Sequence, residues 1–197
     1  NNSVAYKGKP EMGTFMREWT SLYESKSGER GIFNRESAIK QAAKNGRRKY
    51  ALVENPESSS DYIQFGCNPC SEIILRPYQF CNLTEVVARS VDTLDILKEK
   101  VRLATILGTF QSTLTDFKYL RKIWKDNTEE ERLLGVSLTG ILDCPTLNNV
   151  YYELDGVLEQ LRAVAVETNK KMAKELGIPQ STAITCVKPS GTVSQLV

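Results

Sequence analysis

The sequence predicts an α/β fold, and three observations carry that reading. Residues 94–114 and 153–176 repeat apolar side chains at helical spacing. Residues 71–75, 83–88 and 183–187 are short apolar runs with the length of strands. Helical and strand-like segments alternate along the chain, the pattern of an α/β domain.

Taken in order, residues 12–24 set Met12, Phe15, Met16, Trp19 and Leu22 on one helical stripe. Asn34 is a candidate N-cap for a helix over 35–44 that ends at Asn45-Gly46. Residues 46–61 are polar and broken by Asn55-Pro56 and a serine run, so they read as a surface loop. Its basic run, Arg47-Arg48-Lys49, reads as solvated. Strands over 71–75 and 83–88 flank a turn at Arg76-Pro77-Tyr78. The helix over 94–114 carries Leu97, Val101, Ala104 and Leu107 along one side. Residues 129–142 read as a further packed helix, despite Gly135 and Gly140. The helix over 153–176 is stopped by Gly177, with Pro179 just beyond. Residues 183–187 read as a buried strand that runs into Pro189-Ser190-Gly191-Thr192 and a helix start. The chain shows no internal repeat, and no low-complexity segment beyond Ser58-Ser59-Ser60.

Composition narrows the function classes. The 197 residues are 41% hydrophobic and 25% charged, ordinary values for a soluble protein. A net charge of +2 gives no argument for nucleic acid or membrane binding. No run approaches the ~20 apolar residues of a membrane span, and the first residues do not read as a signal peptide. The chain opens at Asn1 rather than Met and stops at Val197, inside an expected helix, which reads as a piece of a longer polypeptide. Five cysteines, an odd count, argue against a secreted disulfide scaffold and for a reducing cytoplasm. The sequence has no histidine, which removes Ser-His and Cys-His catalysis and imidazole metal ligation. Proton transfer therefore falls to carboxylates, thiols, Tyr or Lys.

The residues with most chemical content are Asn68, Cys70 and Glu72, spaced by two. In an extended backbone they would share one face. An amide to orient, a thiol to react and a carboxylate to move protons would then line up, with Cys81 a short loop away. Each has a plainer reading: a buried thiol, an Asn-Pro turn, a solvated glutamate. Cys67 and Cys70 form a Cys-x-x-Cys pair, but a structural zinc site needs about four ligands and no second pair is present. A thioredoxin-like dithiol would be followed by a helix, and extended residues follow instead. A second candidate site is Ser190-Gly191-Thr192-Val193-Ser194, where a glycine and a following helix N-terminus would suit a phosphate. It lacks the Walker spacing and also reads as an ordinary strand-to-helix connection. Lys188 stands beside it, as an aid to phosphate binding or as a solvated lysine. Cys144 and Cys186 read as buried.

The run Asn68-Pro69-Cys70-Ser71-Glu72-Ile73, followed by Cys81-Asn82-Leu83, resembles the active-site segment of ribonucleotide reductases, most of all the adenosylcobalamin-dependent class. Residues 27–34 are similar to the stretch preceding that segment, and residues 188–196 to the family's substrate-phosphate loop. The resemblance implies that residues 1–197 are a fragment of a ten-stranded α/β barrel domain, with a central finger loop at 66–82 and a phosphate loop at 188–195. It implies that Cys70 is the thiyl radical site, Glu72 the general base and Asn68 the residue that orients the sugar. Cys81 would be a redox-active thiol whose partner lies upstream and outside this chain. Ser190, Gly191, Thr192, Val193 and Ser194 would bind substrate phosphate. The implied cofactor is adenosylcobalamin, and the implied substrate a ribonucleotide, with triphosphate preferred over diphosphate. Reduction to deoxyribonucleotide would serve DNA synthesis in the cytoplasm. The implied partners are a deoxynucleotide effector and a thioredoxin-like reductant, with no membrane or nucleic acid contact. Cys67 departs from the pattern and carries no role. The competing readings are a non-catalytic phosphate-binding or assembly module with buried cysteines, and a glycyl-radical-type reductase. The Asn-Pro-Cys-Ser-Glu-Ile run argues against the latter.

Overall fold

Helix α1 (Met12–Ser25) forms where the apolar stripe predicts and stops at Lys26, which takes a left-handed conformation. In the computed structural model the described residues are 6, 9–27, 31–44, 46–48, 65–148 and 154–191. The chain divides into two units, Asn1–Asn34 and Arg35–Val197. In the first unit, Phe15 packs against Trp19, and Met12, Met16, Trp19 and Tyr23 are exposed.

The second unit begins with α2 (Arg35–Ala43), which buries Ala38 and Ala42. A small antiparallel hairpin follows, β1 (Gly66–Cys67) against β2 (Ile74–Leu75). The main sheet is parallel. β3 (Asn82–Val87) pairs in register with β4 (Leu134–Thr139), from Asn82↔Leu134 to Val87↔Thr139. Thr185 bridges in parallel to Val136 and adds a third line of backbone. Parallel strands need crossovers, and helices supply them. α3 (Leu94–Gln111) and α4 (Lys122–Glu131) connect β3 to β4. A short 3-10 turn (Ile141–Asp143), α5 (Pro145–Asn148) and α6 (Leu154–Leu176) connect β4 to the third line.

One face of this sheet meets the helices. Val86, Ala88, Leu134, Val136 and Ile184 pack against Leu97, Val101 and Ala104 of α3 and Leu161 and Ala165 of α6. Asn169 of α6 ties the layers together: its amide donates to Thr109 Oγ1 and Ser181 Oγ, both at 3.0 Å, and accepts from the Ser181 N–H. Cys144 is fully buried in this core, as expected.

The expected helix over 129–142 is not present. α4 ends at Glu131, Arg132 turns left-handed, and β4 begins at Leu134. Leu134, Leu138 and Ile141 recur at helix-compatible spacing, whereas Leu134, Val136 and Leu138 alternate as a strand does, and burial of Leu134 to Ser137 shows that the strand period is the one realised. Gly135 is decisive. A Cβ there would lie 2.5 Å from Leu83 Cδ2, 3.0 Å from Ile73 Cδ1 and 3.1 Å from Cys186 Sγ. Gly140 ends the strand at φ 72°, against the Ala88 carbonyl. The strand expected over 71–75 shrinks to Ile74–Leu75. The line over 183–187 is only partly buried, and Val187 is exposed. Its pairing slips by one residue, because Leu134 N–H bonds the Ala183 carbonyl while Val136 N–H bonds that of Ile184, two steps on β4 against one on this line. α4 was not anticipated before residue 129, and the expected helix over 94–114 ends at Gln111.

The basic run is not simply solvated. Arg48 is 3% exposed and forms a two-pronged ion pair with Glu131, with Nε to Oε1 and Nη2 to Oε2 both at 2.8 Å. Its Nη1 donates to the Ile74 carbonyl at 2.7 Å, and its guanidinium lies over the Phe65 ring. Gln79 donates to Glu131 as well, and Arg76 pairs with Glu130 at 2.6 Å. This network clamps the base of the hairpin to the end of α4. Burial pushes the Glu131 carboxyl upward. The hydrogen bond and charge of Arg48, the Gln79 amide and the Arg76 charge outweigh burial and hold it below the usual range.

Two outcomes follow from this packing. Glu131→Gln leaves Arg48 buried without its counter-charge, and should destabilise the protein by about 3–5 kcal/mol in urea or thermal unfolding. A depressed carboxylate stabilises above the unfolded-state pKa of about 4.3 and loses that contribution as pH falls through the lower folded value, so acid destabilisation should be shallower in the variant. Gly135→Ala should cost about 1–3 kcal/mol by overpacking against Leu83 and Ile73. A variant as stable as the parent would show that β4 does not pack this way.

Candidate active site

The hairpin that carries Asn68, Cys70 and Glu72 is not extended. Asn68 to Ser71 form a turn closed by Ser71 N–H to the Asn68 carbonyl at 2.9 Å, and Ser71 sits at φ 62°. Proline at the second position suits such a turn. Asn68 then clamps the returning chain. Its N–H donates to the Ile73 carbonyl at 3.3 Å, and its Oδ1 accepts from the Ile73 N–H at 3.1 Å. The single-face alignment expected from two-residue spacing is therefore absent, because that alternation holds only in extended backbone.

The turn sorts the two reactive groups into different surroundings. Cys70 is exposed at its apex. Glu72 points inward, with both carboxylate oxygens sealed from solvent and without a hydrogen-bond partner. Cys67 lies half-buried near the base of the turn, 3.5 Å from Ser71 Oγ.

Glu72 lies where the cavity lined by Arg162 and Val166 of α6 approaches two thiols on the sheet face away from the helices, and it acts on both thiols. Burial first, and then the Glu72 charge, push the Cys81 thiol up, partly offset by Lys188 and by a backbone hydrogen bond. Cys186 is affected more strongly. Burial, Glu72 and Cys81 push it up to about 12, against the pull of Lys188 and a hydrogen bond with Ser137. Cys186 Sγ occupies the space beside the missing side chain of Gly135. With the pairing slipped by one, Ile184 lies in the helix-side core while Cys186 lies beside Gly135 on the other side of the sheet. Glu85 contributes another sealed carboxylate oxygen, Oε1, without a partner. The arrangement is a half-buried face with two protonated thiols and an unpaired carboxylate. Such thiols are poor nucleophiles but intact S–H donors.

Cys186, read from the sequence as merely buried, is thus the site residue that sequence reasoning missed. The only available signal was its place two residues before Lys188 at the end of a strand-like run.

The second candidate site is described only in part. Ser190 Oγ is buried without a hydrogen-bond partner, and Gly191 takes φ 58°. Lys188 is held by its N–H to Ser137 Oγ at 2.9 Å. Thr192, Val193 and Ser194 lie outside the described residues. Among the described residues, no group of three or more cysteines and carboxylates could hold a metal ion, and no helix is long and apolar enough to cross a membrane.

No family model matches the sequence, and no solved structure matches it. Curated proteins do. Over 171 residues the chain is 30% identical to the adenosylcobalamin-dependent ribonucleoside-triphosphate reductase of Lactobacillus acidophilus, an alignment that takes in 74% of this chain and 22% of that protein. It is 28% identical over 169 residues to the enzyme of the same name from Euglena gracilis, covering 80% of this chain and 22% of that protein. The corresponding enzyme of Lactobacillus leichmannii is 28% identical over 225 residues, covering 100% of this chain and 28% of its own length. The chain thus spans about a quarter of the length of these relatives.

The thiols should separate by reactivity. A thiol pushed to about 12 has a thiolate fraction near neutral pH lower by on the order of 10³ than one at the ordinary value of about 8.5. Iodoacetamide labelling of the native protein, mapped by peptide mass spectrometry, should modify exposed Cys70 first and Cys186 last. Equal labelling of Cys186 and Cys70 would show that Cys186 is not enclosed as described.

Proposed function

A homologue of one segment of the adenosylcobalamin-dependent ribonucleoside-triphosphate reductases, this chain carries, we propose, the catalytic hairpin of such an enzyme. The reaction reduces a ribonucleoside triphosphate to its 2′-deoxy form for DNA synthesis, within a larger α/β barrel. The observation that supports this best is the hairpin turn itself. It holds a solvent-accessible thiol at Cys70 and, two residues on, a desolvated and unpaired carboxylate at Glu72.

Cys70, as a thiyl radical, takes the hydrogen atom from the 3′ carbon of the ribose and later returns it. Its exposure leaves the S–H open to a radical made outside these residues, which is the property adenosylcobalamin requires of its target. Homolysis of a cobalt–carbon bond is the chemistry that adenosylcobalamin would supply when bound, with Cys70 as the residue that would receive the radical. Glu72 accepts the 3′-hydroxyl proton, and its lack of a partner leaves both oxygens available for that bond. Because Cys70 and Glu72 face different ways, the ribose lies across the turn and meets each from its own side. The Asn68 amide oxygen is engaged by Ile73, so Asn68 orients the sugar through its Nδ2 donors and through the shape of the turn.

The loss of the 2′-hydroxyl as water consumes two thiols: ribonucleotide plus two R–SH gives deoxyribonucleotide, one disulfide and water. Cys81 is one of those thiols, and its raised pKa keeps it protonated as the chemistry demands. The second thiol comes from an upstream part of the polypeptide, and a thioredoxin-like protein restores the pair. Ser190 and Gly191, with Thr192, Val193 and Ser194, receive the substrate phosphates. The unpartnered Ser190 hydroxyl is consistent with that role. A deoxynucleotide effector acts elsewhere in the full enzyme.

Cys70→Ser in the full-length protein tests the proposal. Reduction should fall to background while nucleotide binding, measured by equilibrium dialysis, is retained. Unchanged reduction would overturn the assignment and leave a non-catalytic phosphate-binding module as the reading.

A further inference from the structure

A cavity of about 120 Å³ lies beside the third line of the sheet, and its wall includes Arg47, Arg48, Glu72, Arg162, Thr182 and Thr185. That is room for a few waters or one small oxyanion, given about 30 Å³ for each water in the liquid. Three guanidinium-bearing residues around so small a space is unusual, and their states differ. Arg48 is neutralised by Glu131. Arg162 projects from α6 and keeps an exposed pair with Glu159 at 3.1 Å. Arg47 has no carboxylate within ion-pair distance among the described residues, and its Nε is sealed from solvent without an acceptor.

Leaving a guanidinium N–H buried and unsatisfied is expensive, and a second cation nearby makes it more so. Burial, followed by the charge of Arg162, lowers the Arg47 pKa, the sign of a cation short of counter-charge. The remaining wall is suited to a polar guest. Thr185 brings a hydroxyl, Thr182 brings one that makes only a long bond to the Glu131 carbonyl at 3.4 Å, and Glu72 brings a carboxylate that accepts from neither arginine. Two planar forks with hydroxyl donors beside them make a recognised receptor for a tetrahedral oxyanion.

We propose that Arg47 and Arg162 form an oxyanion subsite of the phosphate class in this cavity, distinct from the loop at 188–195. Glu72 on the same wall repels a bare anion and accepts from a hydroxyl, so a phosphate ester with sugar hydroxyls should bind more tightly than the free ion. The two sources of such a phosphate are the free ion and a nucleotide.

The test uses the full-length protein and inorganic phosphate, with binding followed by isothermal titration calorimetry. Arg47→Gln and Arg162→Gln should each weaken binding by about tenfold or more, the loss of one charge-assisted contact. Phosphate should raise the melting temperature of the parent but not of the double variant. Arg47→Lys keeps the charge and loses the fork, and it replaces the glutamine variant should that variant fail to fold. Its weaker binding supports the site, and unchanged binding counts against it. Displacement of phosphate by a ribonucleoside triphosphate identifies the guest as a nucleotide phosphate, and simultaneous binding of both identifies a free-anion site. Undiminished phosphate affinity in the double variant, or no phosphate binding by the parent, overturns the proposal. Cys70→Ser should bind phosphate like the parent, so this result stands or falls separately from the reductase assignment.

Discussion

The second unit depends on one buried ion pair. Arg48 and Glu131 are 83 positions apart in the chain and both nearly inaccessible, yet they meet through two parallel hydrogen bonds. Around them converge the end of α2, the hairpin strand β2 and the end of α4. The Arg48 guanidinium also reaches the Ile74 carbonyl, and Gln79 closes the ring. Taking two charges from water is costly, and such a pair is weak evidence for net stability. Its stronger consequence is geometric. A bidentate fork tolerates little displacement, so the pair fixes where the hairpin leaves the sheet. The turn that carries Cys70 is clamped from within by Asn68 and from below by Arg48 and Arg76. Functional side chains on short loops need that support, because a small displacement of a reacting group is enough to cost much of the rate.

The sheet between these clamps has two chemically different faces. The helix side is aliphatic and closed, with Asn169 satisfying the hydroxyls of Thr109 and Ser181. The opposite side collects Glu72, Cys81, Glu85, Ser137 and Cys186, with carboxylate oxygens that lack partners. Buried polar groups are ordinarily hydrogen-bonded. Thr84 Oγ1 on the helix side also lacks a partner, but the unpaired carboxylate oxygens gather on the opposite face, which marks that face as built for something other than stability. Gly135 makes it possible, since any side chain there would fill the space where Leu83, Ile73 and Cys186 converge.

Much of this was legible in the sequence, and the failures have physical causes. The long helices α3 and α6 and the strand β3 were read within a few residues, because period and caps agree with the tertiary packing. β4 reads as a helix because Leu134, Leu138 and Ile141 fit a helical period as readily as Leu134, Val136 and Leu138 fit a strand's. Only the contact of Gly135 with a neighbouring strand separates the two, and that contact is non-local. Arg48 was read as solvated because its partner, Glu131, lies in a distant helix. The motif Asn68-Pro69-Cys70-Ser71-Glu72 pointed to the reductase family by residue type and order, and the curated relatives agree. Its geometry was misjudged because Pro69 and the left-handed Ser71 make a turn where two-residue spacing suggested a strand.

The turn changes how the chemistry must be arranged. On a strand, Cys70 and Glu72 would have shared a solvent environment, and the carboxylate would be hydrated. On the turn, the Cys70 thiol stays reachable from outside while the Glu72 carboxylate is sealed from solvent. Desolvation disfavours the charged form of the thiols, and neighbouring Glu72 adds to the effect. Thiolates on that face would be readily oxidised and would attack electrophiles, whereas protonated thiols give up hydrogen atoms. Burial does most to hold Cys81 and Cys186 in the S–H form, and the Glu72 carboxylate beside them adds to it, an effect that requires no substrate.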